Sequence, residues 1–514
     1  MFRRSFTAAV FLGAVLPVQA QPPLLSTERP TLVLAIVVDQ MRYDYLTRFG
    51  ADFDGGLRRL MDEGAVFTNA NYEAAPTVTA IGHSMILSGA TPSVSGIVNN
   101  TWYERSEGKN VQSITDETVT PLGGSAGASP KRLLVSTVGD ELKVAGKGGK
   151  VFGVSLKDRS AILPPGRSAD GAFWFDGASG NFVSSTYYFP ELPVWAAAFN
   201  AAKPADSFAG QEWMGTLMPL AGPELYGTLD ASPFADQLVL DFALALMAAE
   251  DLGTDAQTDV LAVSFSAMDY VGHAIGPDMP QMRDMVLTID DKVGVLLAAA
   301  EGRAGEGNVL VVFTADHGVA PIPEENVAKQ LPGGRYNLQE ERTAVEAALS
   351  AAFGAGTYIE GSAEMNLYLS RAPVAGKDIA PADLQRVAAA ALRRMPQVAR
   401  VYTRTELESG LIGGGDRIDQ RVRNGFNVQH SGDLIIVHEP NWLSGGPGGG
   451  TSHGSPYSYD THVPVIFWGP ESLVKPGQYH AAAAVHDIAP TLATMLGIAM
   501  PSGANGRTLD EILP

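Results

Sequence analysis

Three continuous apolar runs, each followed by acids or imidazoles, constrain this chain more than any other feature. TLVLAIVV at 31–38 leads to Asp39, DVLAVSFS at 259–266 leads to Asp269 and His273, and NVLVVFT at 308–314 leads to Asp316 and His317. A strand that is apolar at every position, not every second one, is covered on both faces. This pattern predicts an α/β fold, with a largely parallel central sheet and helices on both faces. Stretches with helical spacing near 43–63, 235–250 and 279–300 supply those helices. Open sheets of this kind collect ligands at the carboxyl edges of their strands. The acids and imidazoles fall at that edge.

The remaining segments read as additions to one domain spanning 27–510. Polar, Gly-rich and Pro-rich stretches make an insertion at about 101–250, which carries a strand with Lys157 and Arg159, and a helix is expected near 131–144. A second insertion with helical pieces at about 321–423 reads as a cap. Strands at 433–438 and 464–468 are expected to resume the sheet, and a helix at 487–496 closes it. With 514 residues and 45% hydrophobic content, the chain can bury a large core.

Residues 1–20 have the form of a secretory signal: Phe2-Arg-Arg4, an apolar run, then Val18-Gln-Ala20. The run is too short for a bilayer, which takes ~20 apolar residues. A cleaved signal and a periplasmic or secreted product, with no membrane attachment after cleavage, is favoured over an uncleaved anchor. The chain has no cysteine, which removes disulfides, thiolate ligands and a cysteine nucleophile. A formal charge of −20 argues against a nucleic-acid duplex as partner, because no basic field exists to displace its counterions.

The stretch Pro76-Thr-Val-Thr79-Ala-Ile-Gly-His83 suits a helix start and places the Thr79 hydroxyl beside free backbone N–H groups, which attract anions. An alcohol is a poor nucleophile at neutral pH and needs a metal ion or a base to take its proton. Asn100, at the end of a turn-rich segment, is a candidate donor to an anion. Lys157 and Arg159, two apart in a strand, would share one side and hold an anion between them. An isolated threonine near a helix start is usually a cap, and a basic strand end is usually solvated, so both depend on the metal ligands.

Those ligands are Asp39, Asp269, His273, Asp316, His317 and His453. The spacing of four puts Asp269 and His273 on one side of a helix. The Gly-rich segment 445–450 permits close backbone passage on the way to His453. Six oxygen and nitrogen donors suit two Zn²⁺ ions, with Mg²⁺ or Mn²⁺ compatible with one position.

In this order the motifs resemble the alkaline phosphatase superfamily, and most closely its periplasmic phosphate-insensitive branch with a threonine nucleophile. The resemblance runs from the signal to Arg507-Thr-Leu-Asp510 and includes the 21-residue offset from Thr79 to Asn100. It implies one zinc on Asp269, His273 and His453 and a second on Asp39, Asp316 and His317. It further implies that Thr79 becomes transiently phosphorylated and that Asn100 contacts a phosphoryl oxygen. Lys157 and Arg159, in Ser155-Leu-Lys-Asp-Arg-Ser-Ala-Ile-Leu-Pro-Pro165, match the monoesterase motif. Ile81 stands where relatives often carry proline. The expected activity is hydrolysis of small phosphate monoesters by a monomer of broad specificity. The alternative within the superfamily is a phosphodiesterase or nucleotide pyrophosphatase. The lack of cysteine disfavours a sulfatase, and a noncatalytic metal-binding scaffold would require a lost ligand or nucleophile, which is not seen.

Overall fold

The computed structural model describes residues 29–372, 376–410, 412 and 415–514; the expected signal lies outside them. The three apolar runs form the centre of a ten-stranded sheet. In chain order its main strands are β1 (Leu32–Val38), β2 (Ala65–Phe67), β3 (Gly148–Ser155), β4 (Gly171–Asp176), β5 (Thr258–Phe265), β6 (Val309–Thr314) and β7 (Val465–Trp468). Side by side the order is β2-β7-β6-β1-β5-β3-β4. β6, β1, β5, β3 and β4 are mutually parallel, while β7 pairs antiparallel with both β6 and β2. Every residue of β1, β5 and β6 is buried, as strands covered on both faces require. Truncating one of these side chains, such as Ile36, to alanine should cost about 2–5 kcal/mol.

Helices pack on the sheet through apolar faces, including Gly56–Glu63, Pro233–Ala249 and the 24-residue Gln281–Ala304. Two more matter for the site: α1 (Thr79–Ser88) and α2 (Ala267–Ile275). α1 is buried along its whole length. Its Gly82 is required by contact: a Cβ there would stand 2.3 Å from the Asp316 carbonyl oxygen.

Three local expectations change. The helix expected from 131 begins only at Val138, where Thr137 and Asp140 form a reciprocal cap. β3 stops at Ser155, so Lys157 precedes a short helix, Asp158–Ile162, and Arg159 lies within it. The two cations are therefore not strand neighbours with a period of two. Finally, Leu434–His438 does not rejoin the main sheet. It pairs antiparallel with Asn366–Leu369 and Val398–Thr403, in a four-stranded sheet completed by Ile359–Ala363. Helices Leu338–Phe353 and Pro381–Leu392 contribute to a separate apolar core with this sheet. The strand at 434–438 is apolar and lacks a distinctive periodic cue, so only pairing decides which sheet it joins.

Candidate active site

The carboxyl edge of β1, β5, β3 and β6 brings the predicted groups together. Asp39 follows β1, Asp316 and His317 follow β6, Lys157 follows β3, and α2 after β5 carries Asp269 and His273. Two sets of donors are each close enough to hold one ion: Asp39, Asp316 and His317, and Asp269, His317 and His453. His317 belongs to both. Its ring stacks on that of His453 with centroids 3.5 Å apart. His273 Nε2 lies 3.2 Å from Asp269 Oδ1, beside the second set and more exposed than the others.

The three imidazoles are oriented alike. Nδ1 of His273, His317 and His453 lies 2.8, 3.0 and 2.7 Å from the carbonyls of Thr451, Gly318 and Thr77. A donating Nδ1–H leaves the Nε2 lone pair for the site, the tautomer a ligand needs. The Gly-rich passage is equally specific. Gly450, at φ +65°, runs so close to α2 that a Cβ would stand 2.0 Å from the His273 carbonyl oxygen. The adjacent Thr451 N–H then donates to that carbonyl at 2.8 Å.

Charge is out of balance here. Asp39, Asp269 and Asp316 are all buried, and one ammonium meets them: Lys157 Nζ stands 2.6 Å from Asp39 and 2.5 Å from Asp269. Burial and the Asp39 carboxylate push Asp316 well above the usual carboxylate range. Burial would also raise Asp269, but Lys157 and His273 hold it well below. Burial alone would lower Lys157, whereas Asp269 and Asp39 raise it. Burial lowers His317 to about 3 and His453 far below its ordinary value, so both rings are neutral. Asp39 Oδ1 and Asp316 Oδ2 are buried without hydrogen-bond partners. Unpaired carboxylate oxygens facing neutral imidazole lone pairs are what divalent cations satisfy, so the residues present fit two metal ions.

Thr79 is the first residue of α1, 1% exposed, with Oγ1 3.5 Å from His317 Nε2. Its helix lacks a side-chain cap of its own. Asn100 supplies one from a distance, accepting the Ala80 N–H on Oδ1 at 2.8 Å, which leaves the NH₂ as its other polar end. Arg159 lies near Lys157, with Asp158 as a charged neighbour at 3.7 Å. Lys157 therefore bridges the two ligand sets, whereas Arg159 remains less tightly paired.

Two groups to which the sequence assigned no role also join the site. Gln40, held at φ +67°, donates Nε2–H to Asp269 at 2.6 Å and its backbone N–H to Asp316 at 3.0 Å. His83, within the Thr79 motif, lies 2.9 Å from the Thr79 carbonyl, 2.8 Å from Ser264 Oγ and 3.4 Å from Asp316. Burial lowers its pKa to about 4.

A model of the type I phosphodiesterase / nucleotide pyrophosphatase family matches residues 33–462, a span that includes every one of these groups. The chain belongs to this family. As a member of the alkaline phosphatase superfamily it is 35% identical to alkaline phosphatase PafA of Elizabethkingia meningoseptica, over 94% of this chain and 95% of the relative. Alkaline phosphatase PhoV of Synechococcus elongatus is 33% identical over 94% and 93%. A protein of Myroides odoratus named as a calcium-transporting ATPase is 33% identical over 95% of each chain. Among the residues described here, no helix is long and apolar enough to cross a membrane. The crystal structure of wild-type PafA superposes with a TM-score of 0.87 at 34% identity, covering 95% of this chain and all of that one. This family member is therefore an enzyme of the alkaline phosphatase kind, built on the α/β fold its apolar runs predict.

Proposed function

We propose that this enzyme hydrolyses phosphate monoesters through a phosphothreonine intermediate on Thr79, in the periplasm or outside the cell. One observation carries the reading: the buried Thr79 hydroxyl lies 3.5 Å from His317, the residue common to both ligand sets. Asp39, Asp316 and His317 would hold one Zn²⁺, and Asp269, His453 and the adjacent His273 the other. Bound ions would favour the alkoxide form of Thr79 and offset the charge that develops on phosphorus and on the departing oxygen.

The protein's own groups do the positioning. Thr79 stands where the first turn of α1 presents backbone N–H groups to an anion. The Asn100 NH₂ donates to a nonbridging oxygen, and its carbonyl, bonded to Ala80, holds that amide in place. Lys157 and Arg159 supply the cations that a monoester dianion needs and a diester does not. Thr79 attacks phosphorus, the P–O bond to the leaving group breaks, and water then cleaves the phosphothreonine to free phosphate.

On this reading one catalytic domain spans 27–510, with insertions at about 101–250 and 321–423, and the strand Leu434–His438 adds to the sheet of the second insertion. Small phosphate monoesters are the substrates, a monomer the working unit, and neither duplex nucleic acid nor a membrane a partner. A second reading, diester or pyrophosphate hydrolysis, draws support from the family's description. Metal analysis with paired rates on nitrophenyl phosphate and bis-nitrophenyl phosphate decides. Two bound Zn²⁺ and faster monoester turnover are expected; faster diester turnover overturns the monoesterase reading.

A further inference from the structure

Resting on the monoesterase reading, the cap suggests which leaving groups the site favours. In-line displacement sends the leaving group away from the nucleophile. Thr79 meets His317, His317 stacks on His453, and His453 lines a cavity of about 50 Å³ beneath the cap. His453, a member of the second ligand set, is the wall this cavity shares with the site. Its lining includes Tyr336, His438, Trp442 and Glu364. Tyr336 and His438 are stacked with centroids 3.8 Å apart. Neither lysine nor arginine lines it, in contrast to the Lys157 side of the site.

Glu364 comes from the cap, at the turn between Ile359–Ala363 and Asn366–Leu369. It is held at φ +47°, a left-handed conformation that a glutamate adopts at a cost. Its Oε2 lies against the loop of His453: a Cβ on Gly454 would be 3.7 Å away. Burial raises the pKa of this carboxyl, and His273 and His438 oppose the rise. His438 is already engaged, with Nε2 3.0 Å from Glu341.

We propose that this cavity is a leaving-group subsite for a small cationic head, so that protonated aminoalkyl phosphates are preferred substrates. Glu364 is the charge partner and the aromatic rings supply the faces that cations favour. The small volume suits a primary ammonium on a short stem rather than a nucleoside.

The test compares kcat/KM of the zinc-loaded enzyme on 2-aminoethyl phosphate, propyl phosphate and 2-carboxyethyl phosphate, in wild type and Glu364→Gln. Wild type should favour the amine over the propyl ester by about tenfold, the scale of one charge-assisted hydrogen bond, and disfavour the carboxylate. In Glu364→Gln the amine and propyl rates should converge to within about twofold, with nitrophenyl phosphate turnover retained. Equal wild-type rates on the three esters, or an amine preference that survives Glu364→Gln, overturn the subsite. Inhibition of wild type by 2-aminoethylphosphonate against propylphosphonate repeats the comparison without a variant: equal inhibition also overturns it. Absence of nitrophenyl phosphate turnover in wild type would instead defeat the phosphatase reading itself.

Discussion

The ammonium of Lys157 stands 2.6 Å from Asp39 Oδ2, buried with it at the heart of the site. The same ammonium reaches Asp269, so without metal ions this cation links carboxylates from both ligand sets. Removing it leaves buried negative charge uncompensated, at a cost of about 3–5 kcal/mol. Lys157→Met should therefore lower the melting temperature of chelator-treated protein sharply and that of zinc-loaded protein much less. Equal losses in both forms would show that Lys157 is not a stand-in cation.

The neighbouring hydroxyl, Thr77 Oγ1, is engaged with the Ser455 carbonyl at 2.9 Å. Thr79→Ala should cut monoester kcat by a factor on the order of 10³ or more, with zinc content unchanged, while Thr79→Ser keeps measurable turnover. A phosphoprotein trapped from wild type and absent from Thr79→Ala is the direct check.

Lys157 and Arg159 bear on the choice between ester classes. Removing one preorganised donor typically costs 10²–10³ in rate, so Lys157→Ala with Arg159→Ala should cost monoester kcat/KM about that much or more. Diester kcat/KM should fall far less, since a diester carries one negative charge fewer. Equal losses on the two substrates refute the charge argument.

Gln40 donates to Asp269 from beside Asp39, tying the two ligand sets together. Outer partners of this kind typically contribute 10–100-fold to metal affinity. Gln40→Leu should weaken zinc binding by about that factor, measured by competition with a chromophoric chelator, and excess zinc should restore most of kcat.

Acid should destabilise the metal-free protein through its buried histidines. His83 and His317 have pKa values lowered to about 4 and about 3. Below the unfolded value of about 6.5 the unfolded chain takes up protons that the fold refuses, so stability falls as pH falls toward those values. Each group contributes about 1.4 kcal/mol per pH unit in that window. Protonation of Asp316, whose pKa is raised, opposes part of this. Urea midpoints at pH 7, 6 and 5 should fall progressively, and His83→Asn should flatten the slope.

The sequence by itself determined the sheet and the identity of its edge groups. Apolar runs such as 31–38 and 308–314 must be covered on both faces, so the polar residues that follow them emerge at one edge. The glycines before His453 likewise announce a close approach, realised where Gly450 meets the His273 carbonyl. Only the tertiary structure decided which groups meet. Gln40 reaches Asp269 across 229 positions and Asp316 across 276, and no local pattern marks such a pairing. The period-of-two reading of Lys157 and Arg159 failed because β3 ends at Ser155, where chain direction passes from strand geometry to a helical turn. The strand 434–438 went to the cap because hydrophobicity drives burial without naming the surface that does the burying.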